Sequence, residues 1–454
     1  MISPQDSTDD TTQRTKLFQK ELHRLLVRHE AFVESRDGGE RAILSMYDLS
    51  DLDLSRRNLG RAEMVGTLLC NCNLQGADFS DANLFAADMS STDMRGGVFD
   101  RADMRGACLA CADMTEASMV DTDMRDGVLV KSSISGEIMP VDHEESAGGM
   151  EKAVARRADM TGAKVSDSMV VQTDLTDANL KNARFVRTNL SLSNLTGCNL
   201  EGADFTGAVL SGAIFHGARF ISTVLDGADM SGADLIGAMF DNVDLSKTRM
   251  DDAKLPRAID DGDVPVKDVI VEHRDWIKSN GKTGERAVLK GMDLTGYSLE
   301  QVNLSAADLS FSVLKGANLS QSEFIMTDLS YADLRGATLM RADLRGAKLE
   351  RADLSDAVLV GAVFSEVNVA SQAGGGEWRA NLQRVKLCRA LLNGATLCNV
   401  DLEGADLSGA DLRDADLSGS LLFDADFTGA NMSGTNLRGT MSTGALGLPD
   451  LNAE

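Results

Sequence analysis

The sequence predicts an all-β solenoid, and three observations carry that reading. An apolar residue recurs at every fifth position in four uninterrupted blocks, centred on residues 44–134, 160–255, 289–369 and 382–437. All 68 of these central positions are Leu, Met, Phe, Val or Ile. Period five is neither the 3.6 of a helix nor the 2 of a strand, so each unit is one side of a repeating coil. Composition agrees, because aromatic residues make up 4% of the chain while glycines number 42. A periodic pair of small and large side chains fills the interior, in place of the bulky residues of a globular core.

The slots around the centre say how such a unit turns. Two residues before it sits a small residue, usually Ala, as at Ala77, Ala82, Ala87, Ala342, Ala347 and Ala352, and one before it sits Asp or Asn. With the small and the central side chain pointing inward and the other three positions in water, the unit suits a square coil. Glycine two residues after the centre, as at Gly207, Gly212 and Gly217, lets the corner turn without steric cost. The runs ADLSGADLRDADLSGS (405–420) and RADLRGAKLERADLSDAVL (341–359) resemble the pentapeptide-repeat family, whose consensus is A-(D/N)-L-x-x. That resemblance covers about three quarters of the chain and implies a right-handed quadrilateral β-helix with four repeats per coil.

In chain order, residues 1–16 are polar and acidic and are expected to be a disordered tail. Residues 17–41 are expected to form a helix and turn, with Phe18, Leu22, Leu25, His29 and Phe32 spaced three and four apart on one face. Such a stripe would cover the open end of a solenoid, which otherwise exposes unpaired backbone and core side chains. Residues 42–257 form a first repeat module with a loop insertion at 137–157, marked by Pro140, Glu144, Glu145 and Gly148–Gly149. Residues 258–286 repeat the cap. His29, Phe32, Val33 and Ser35, followed by Gly39-Glu40-Arg41-Ala42, match His273, Trp276, Ile277 and Ser279, followed by Gly284-Glu285-Arg286-Ala287. Residues 287–440 form the second module, with a loop insertion at 371–378, and 441–454 are a tail. His29, Phe32, His273 and Trp276 are read as cap-packing residues, each histidine bonded to an end-coil carbonyl. Tyr47, Leu52 and Arg57, and Met292, Tyr297 and Val302, are too bulky for the small slot they occupy, so the first coil of each module is expected to turn toward its helix.

The net charge of −25 argues against direct binding of nucleic acid or anionic membrane, both of which demand clustered Lys and Arg. No run of about 18 apolar residues appears, and a cytoplasmic location is the simplest expectation. Seven cysteines suit free thiols. The pairs Cys70/Cys72 and Cys108/Cys111 have zinc-like spacing but fall at different repeat slots, so no metal is expected. Gly281-Lys282-Thr283 copies the end of a phosphate-binding loop, yet Trp276 stands where such a loop requires Gly, and the segment reads as a helix-ending turn. With no recognisable nucleophile, base or cofactor motif, the chain reads as a non-enzyme with no cofactor, acting through a protein partner.

Two surfaces are candidates. Val209, Ile214 and Val224 in the first module, and Val358 and Val363 in the second, place apolar side chains in a normally polar slot, which suits a partner surface. Asp53, Asp93 and Asp113, with Asn73, lie 20 residues apart and would stack into an acidic ridge. Some family members protect DNA gyrase with an acidic surface that imitates duplex DNA. The resemblance therefore implies an alternative, an acidic regulator of a type II topoisomerase. However, 27 of the 70 acidic residues occupy the slot before the centre, where Asp or Asn serves local turn bonding, so much of the charge follows from the fold.

Overall fold

A computed structural model describes residues 14–127, 130–132, 138–140, 149–258, 265–369 and 376–449. It divides into two compact units. The first takes in residues up to Ala253, apart from Phe215–Ala218 and Leu235–Met239; the second takes in those two segments and the chain from Lys254 onward.

Each repeat block winds into coils of 20 residues. Parallel bridges join Ile43 to Glu63, Asp48 to Leu68, Asp53 to Asn73 and Asn58 to Asp78, and then repeat at the same spacing, so four ladders run along the coil. The hydrogen bonds show why five residues suffice for one side. Leu59 N–H donates to Asp78 O on the next coil (2.6 Å), Asp78 N–H returns to Arg57 O (2.9 Å), and Ala62 N–H closes the turn onto Leu59 O (3.0 Å). These bonds pair the backbone of one unit within the stack. The residue two after the centre lies in the left-handed region, at φ 64° for Gly207 and 58° for Arg101, which explains the many glycines at this corner.

The central side chains form the core. Phe79 and Phe99 are fully buried and stack at 5.1 Å with 6° between ring planes; Phe185 and Phe205 stack at 5.1 Å. These distances match the spacing of paired strands. Polar residues enter the small slot by donating to a carbonyl: Thr67 Oγ1 to Leu44 O (2.9 Å), Thr122 Oγ1 to Phe99 O (2.7 Å) and Cys72 Sγ to Leu49 O (3.0 Å). Satisfied in this way, they cost little of the packing that Ala provides.

The boundaries differ from those expected. Asp123 bridges Lys164, and Gly149 and Val154 already belong to the coil, bridging Cys108 and Asp113. The first excursion therefore lies between residues 123 and 149, with Val130–Ser132 paired antiparallel to Ile138–Pro140, rather than at 137–157. Met150 and Ala155 are buried at central positions, and Ala155 hid the register because it is too small to read as a centre. The expected repeat centres Leu129 and Ile134 lie outside the described residues. In the second unit Val367–Val369 pairs antiparallel with Gly376–Trp378, so the excursion is wider than 371–378. The coil also continues past 440, with Leu421 bridging Met441 and Asp426 bridging Leu446.

Helix α1 spans Gln19–Val33 and α2 spans Val266–Lys278. Ahead of each, a two-residue strand pairs with the first coil: Thr15–Lys16 with Tyr47–Asp48, and Arg257–Ala258 with Met292–Asp293. Thr15 and Lys16 were expected in a disordered tail; the free edge of the first ladder recruits them. Gln19 imitates a further strand, its amide donating to Asp53 O (2.7 Å) and accepting Asp53 N–H (2.9 Å). The bulky Arg57 does turn to the helix, meeting Glu30 at 2.6 Å and His23 at 3.0 Å. Open edges are thereby blunted at the N-terminal end of each module.

Candidate interaction surfaces

The two caps share one polar lock. His29 Nδ1 accepts the Ala42 backbone N–H at 3.0 Å, and His273 Nδ1 accepts that of Ala287 at 3.0 Å. Both rings are fully buried and stack on the neighbouring aromatic, His29 on Phe32 at 5.9 Å and His273 on Trp276 at 5.6 Å. Burial pushes both imidazoles below the ordinary histidine range; against it pull the carbonyls of Leu59 and Gly60 for His29, and that of Ser305 for His273. The expected bond to a coil carbonyl is thus corrected for Nδ1, which accepts an amide and so fixes the neutral tautomer protonated at Nε2. The preceding arginines have a matching task, with Arg41 and Arg286 donating to the carbonyls of Arg61 and Ala306 one coil away. Gly39 and Gly284 are required because a Cβ there would meet helix backbone, Phe32 N at 2.3 Å and Glu272 O at 2.2 Å. At Gly281-Lys282-Thr283, Ser279 Oγ accepts the N–H groups of Lys282 and Thr283 (3.1 and 2.9 Å), which builds a turn.

The acidic ridge stacks in register, with Asp53 bridged to Asn73, Asn73 to Asp93 and Asp93 to Asp113. Its carboxylates are already engaged. Asp53 accepts the Ser55 N–H, while Asp93 is held by Arg95 at 2.7 Å, and the same guanidinium reaches Asp113 at 3.8 Å. The Arg95 bond, supported by Gln75, pulls the Asp93 carboxyl down to about 2. Further along, the ladder passes through Val154, Asp174, Asn194 and Ile214, so apolar residues interrupt the charge. The same clamp recurs as Arg105 on Asp103, Arg125 on Asp123, Arg345 on Asp343 and Arg413 on Asp411, all within 2.7 Å.

The apolar candidates are not brought together as a group. Val209 lies between Asn189 and Asp229, Ile214 between Asn194 and Asp234, and Val224 follows Asp204, so the three occupy different ladders. Residues five apart sit on successive sides of the coil, which turns the expected cluster into a belt. Val358 and Val363 are likewise on separate ladders, but Val358 is bridged to Leu391, which is 41% exposed. Met340, 42% exposed, lies in the turn beside that ladder. The sequence hid the pairing of Val358 with Leu391 because the excursion changes the offset from 20 to 33.

All seven cysteines are free thiols, and burial raises Cys70 to about 11 and Cys72 to about 12. Among the described residues no group of three or more His, Cys, Asp or Glu is placed to hold a metal ion, and no helix is long and apolar enough to cross a membrane.

A family model for pentapeptide repeats matches residues 48–84, 82–126, 173–212, 213–254, 285–321, 303–339, 339–369, 380–419 and 420–441, most of both coils. This chain belongs to the pentapeptide-repeat family. As a pentapeptide-repeat protein it is a right-handed β-helix solenoid, in keeping with its 20-residue parallel ladders. Solved structures similar to it include HetL from the cyanobacterium Nostoc, a pentapeptide-repeat protein involved in heterocyst differentiation regulation. HetL is 26% identical over 65% of this chain and 86% of its own, with a TM-score of 0.19. QnrB1, a plasmid-mediated fluoroquinolone resistance protein, is 18% identical over 46% of this chain and 93% of its own, with a TM-score of 0.26. A pentapeptide-repeat protein from the Arabidopsis thaliana thylakoid lumen is 33% identical over 26% of this chain and 63% of its own, with a TM-score of 0.15. No curated protein matches the sequence. The family assignment rests on the repeat match.

Proposed function

We propose that this pentapeptide-repeat protein is a non-enzymatic, cytoplasmic scaffold that binds a protein partner through the wall of its second module. We also read its four-ladder coil as the quadrilateral form of the fold. One observation carries the functional reading: Val358 and Leu391 stack on a ladder whose other residues are Ser298, Asn318, Thr338, Asp411 and Asn431, with exposed Met340 in the adjoining turn. Apolar side chains held in register on a rigid wall form a surface that a partner can desolvate. The test is affinity capture with the full chain and with Val358→Asp/Leu391→Asp, followed by rebinding of each captured protein in purified form. A purified protein that binds the parent and loses at least tenfold in affinity for the double variant supports the reading. Equal binding to both sinks it.

A second reading, the acidic mimic that regulates a type II topoisomerase, draws support from the in-register stacking of Asp53, Asn73, Asp93 and Asp113. Against it stand the arginine clamps and the breaks at Val154 and Ile214. A gyrase supercoiling assay distinguishes the two, and no change at micromolar protein ends the mimic.

A further inference from the structure

The two caps are copies in fold that reverse the sign of charge at four equivalent positions. Aligned on His29 and His273, the first cap carries Arg24, Arg28, Glu30 and Glu34 where the second carries Asp268, Glu272, Arg274 and Lys278. At four equivalent positions the sign is reversed, while the side chains that pack inward keep their character, Leu22 and His29 matching Val266 and His273, all buried. Between the outer charges each helix displays a valine, Val27 at 49% and Val271 at 41% exposure. Arg24, Arg28, Asp268 and Glu272 are exposed as well.

The turn after the helix keeps its glutamate, Glu40 in the first cap and Glu285 in the second. Arg28 pairs with Glu40 at 3.1 Å in the first cap. The equivalent positions in the second cap hold two carboxylates, Glu272 and Glu285. The first cap therefore presents Lys20, Arg24 and Arg28 beside Val27, and the second presents Asp268 and Glu272 beside Val271. Folding of either cap does not require this difference, since the buried lock is the same in both.

We propose that α1 of one copy of this chain docks antiparallel on α2 of a second copy. With Val27 against Val271, Arg24 and Arg28 lie on one flank of α1; antiparallel pairing brings that flank to the matching flank of α2, so Arg24 faces Glu272 and Arg28 faces Asp268. Parallel pairing about the valines would instead set Arg24 against Lys267 and Arg28 against Arg274. Charge selects the orientation and the partner. The contact is heterologous, joining two different patches. It is also salt-sensitive, because its charges lie at the surface and are screened as the Debye length falls from about 10 Å at 0.1 M toward about 3 Å at 1 M.

Sedimentation velocity of the full chain tests this at low salt and at roughly ten times that concentration. The wild type should self-associate with protein concentration at low salt and lose at least about tenfold in association constant at high salt. Arg24→Asp/Arg28→Glu makes both caps acidic and Asp268→Arg/Glu272→Arg makes both basic, so each variant alone should remain monomeric. An equimolar mixture of the two variants should associate again. Circular dichroism on each variant confirms that the coils are intact, and a misfolded variant is replaced by the single substitutions Arg28→Glu and Glu272→Arg. A wild type monomeric throughout, self-association unchanged in both variants, or a mixture that stays monomeric would each overturn the proposal.

Discussion

His29 Nδ1 accepts the Ala42 backbone N–H at 3.0 Å inside a fully buried cap, and the same lock recurs between His273 and Ala287. Protonating Nδ1 would remove the acceptor, leave the amide unpaired and bury a charge. Both histidines have folded-state pKa values below the ordinary 6.5, so the unfolded chain takes up protons first as pH falls. Stability from the locks is complete above about pH 6.5 and declines below it, toward the lowered folded values. The thermal midpoint should therefore drop more between neutral pH and pH 5 in the wild type than in His29→Asn/His273→Asn, where an amide oxygen serves as a non-titrating acceptor. Parallel losses in the two proteins would remove the locks from the account.

Gly39 and Gly227 separate close approach from backbone conformation. A Cβ at Gly39 would lie 2.3 Å from Phe32 N, whereas at Gly227, with φ +69°, it would meet nothing within 4 Å. Gly227→Ala should cost about 1–2 kcal/mol, the left-handed penalty alone. Gly39→Ala should cost about 3 kcal/mol or more, because the loop must leave the helix. Urea denaturation measures both, and equal losses would contradict the assignment.

Phe99 and Arg101 lie two residues apart, one in the core and one on the corner. Phe99→Ala empties a fully buried site stacked on Phe79 and should cost about 3–5 kcal/mol. Arg101→Ala removes an exposed bond to Asp81 and should cost at most about 1 kcal/mol. Denaturant titration of each single variant checks the contrast.

Asp93 should titrate near 2, held down by Arg95. Its contribution to stability is present above the unfolded value of about 3.9 and is lost as pH falls toward 2. Arg95→Ala should return the Asp93 carboxyl toward the ordinary range, read from carbon chemical shifts across an acid titration. An unmoved carboxyl would mean that Arg95 does not hold it.

Much of this was legible from local chemistry. The period of five, the small slot and the left-handed corner each depend on contacts within one or two units, and Ala77, Leu59 and Gly207 show them directly. The cap duplication was equally plain in His29 and His273, although the acceptor role of Nδ1 was not, because a ring's orientation depends on the amide that the following turn delivers. The spacing of 20 put Asp53, Asn73, Asp93 and Asp113 on one ladder, but the bidentate hold of Arg95 on Asp93 could not be told from a solvated arginine.

By itself the sequence determined the repeating coil, the two modules and the residues that lock each cap. Only the tertiary structure decided which exposed residues share a ladder: it parted Val209, Ile214 and Val224, joined Val358 to Leu391 across an excursion, and recruited Thr15 and Lys16 to a coil edge. The physical reason is that the units are nearly alike. Their turns are encoded locally, whereas the register between coils is set by long-range hydrogen bonds whose partners depend on the path of the intervening chain.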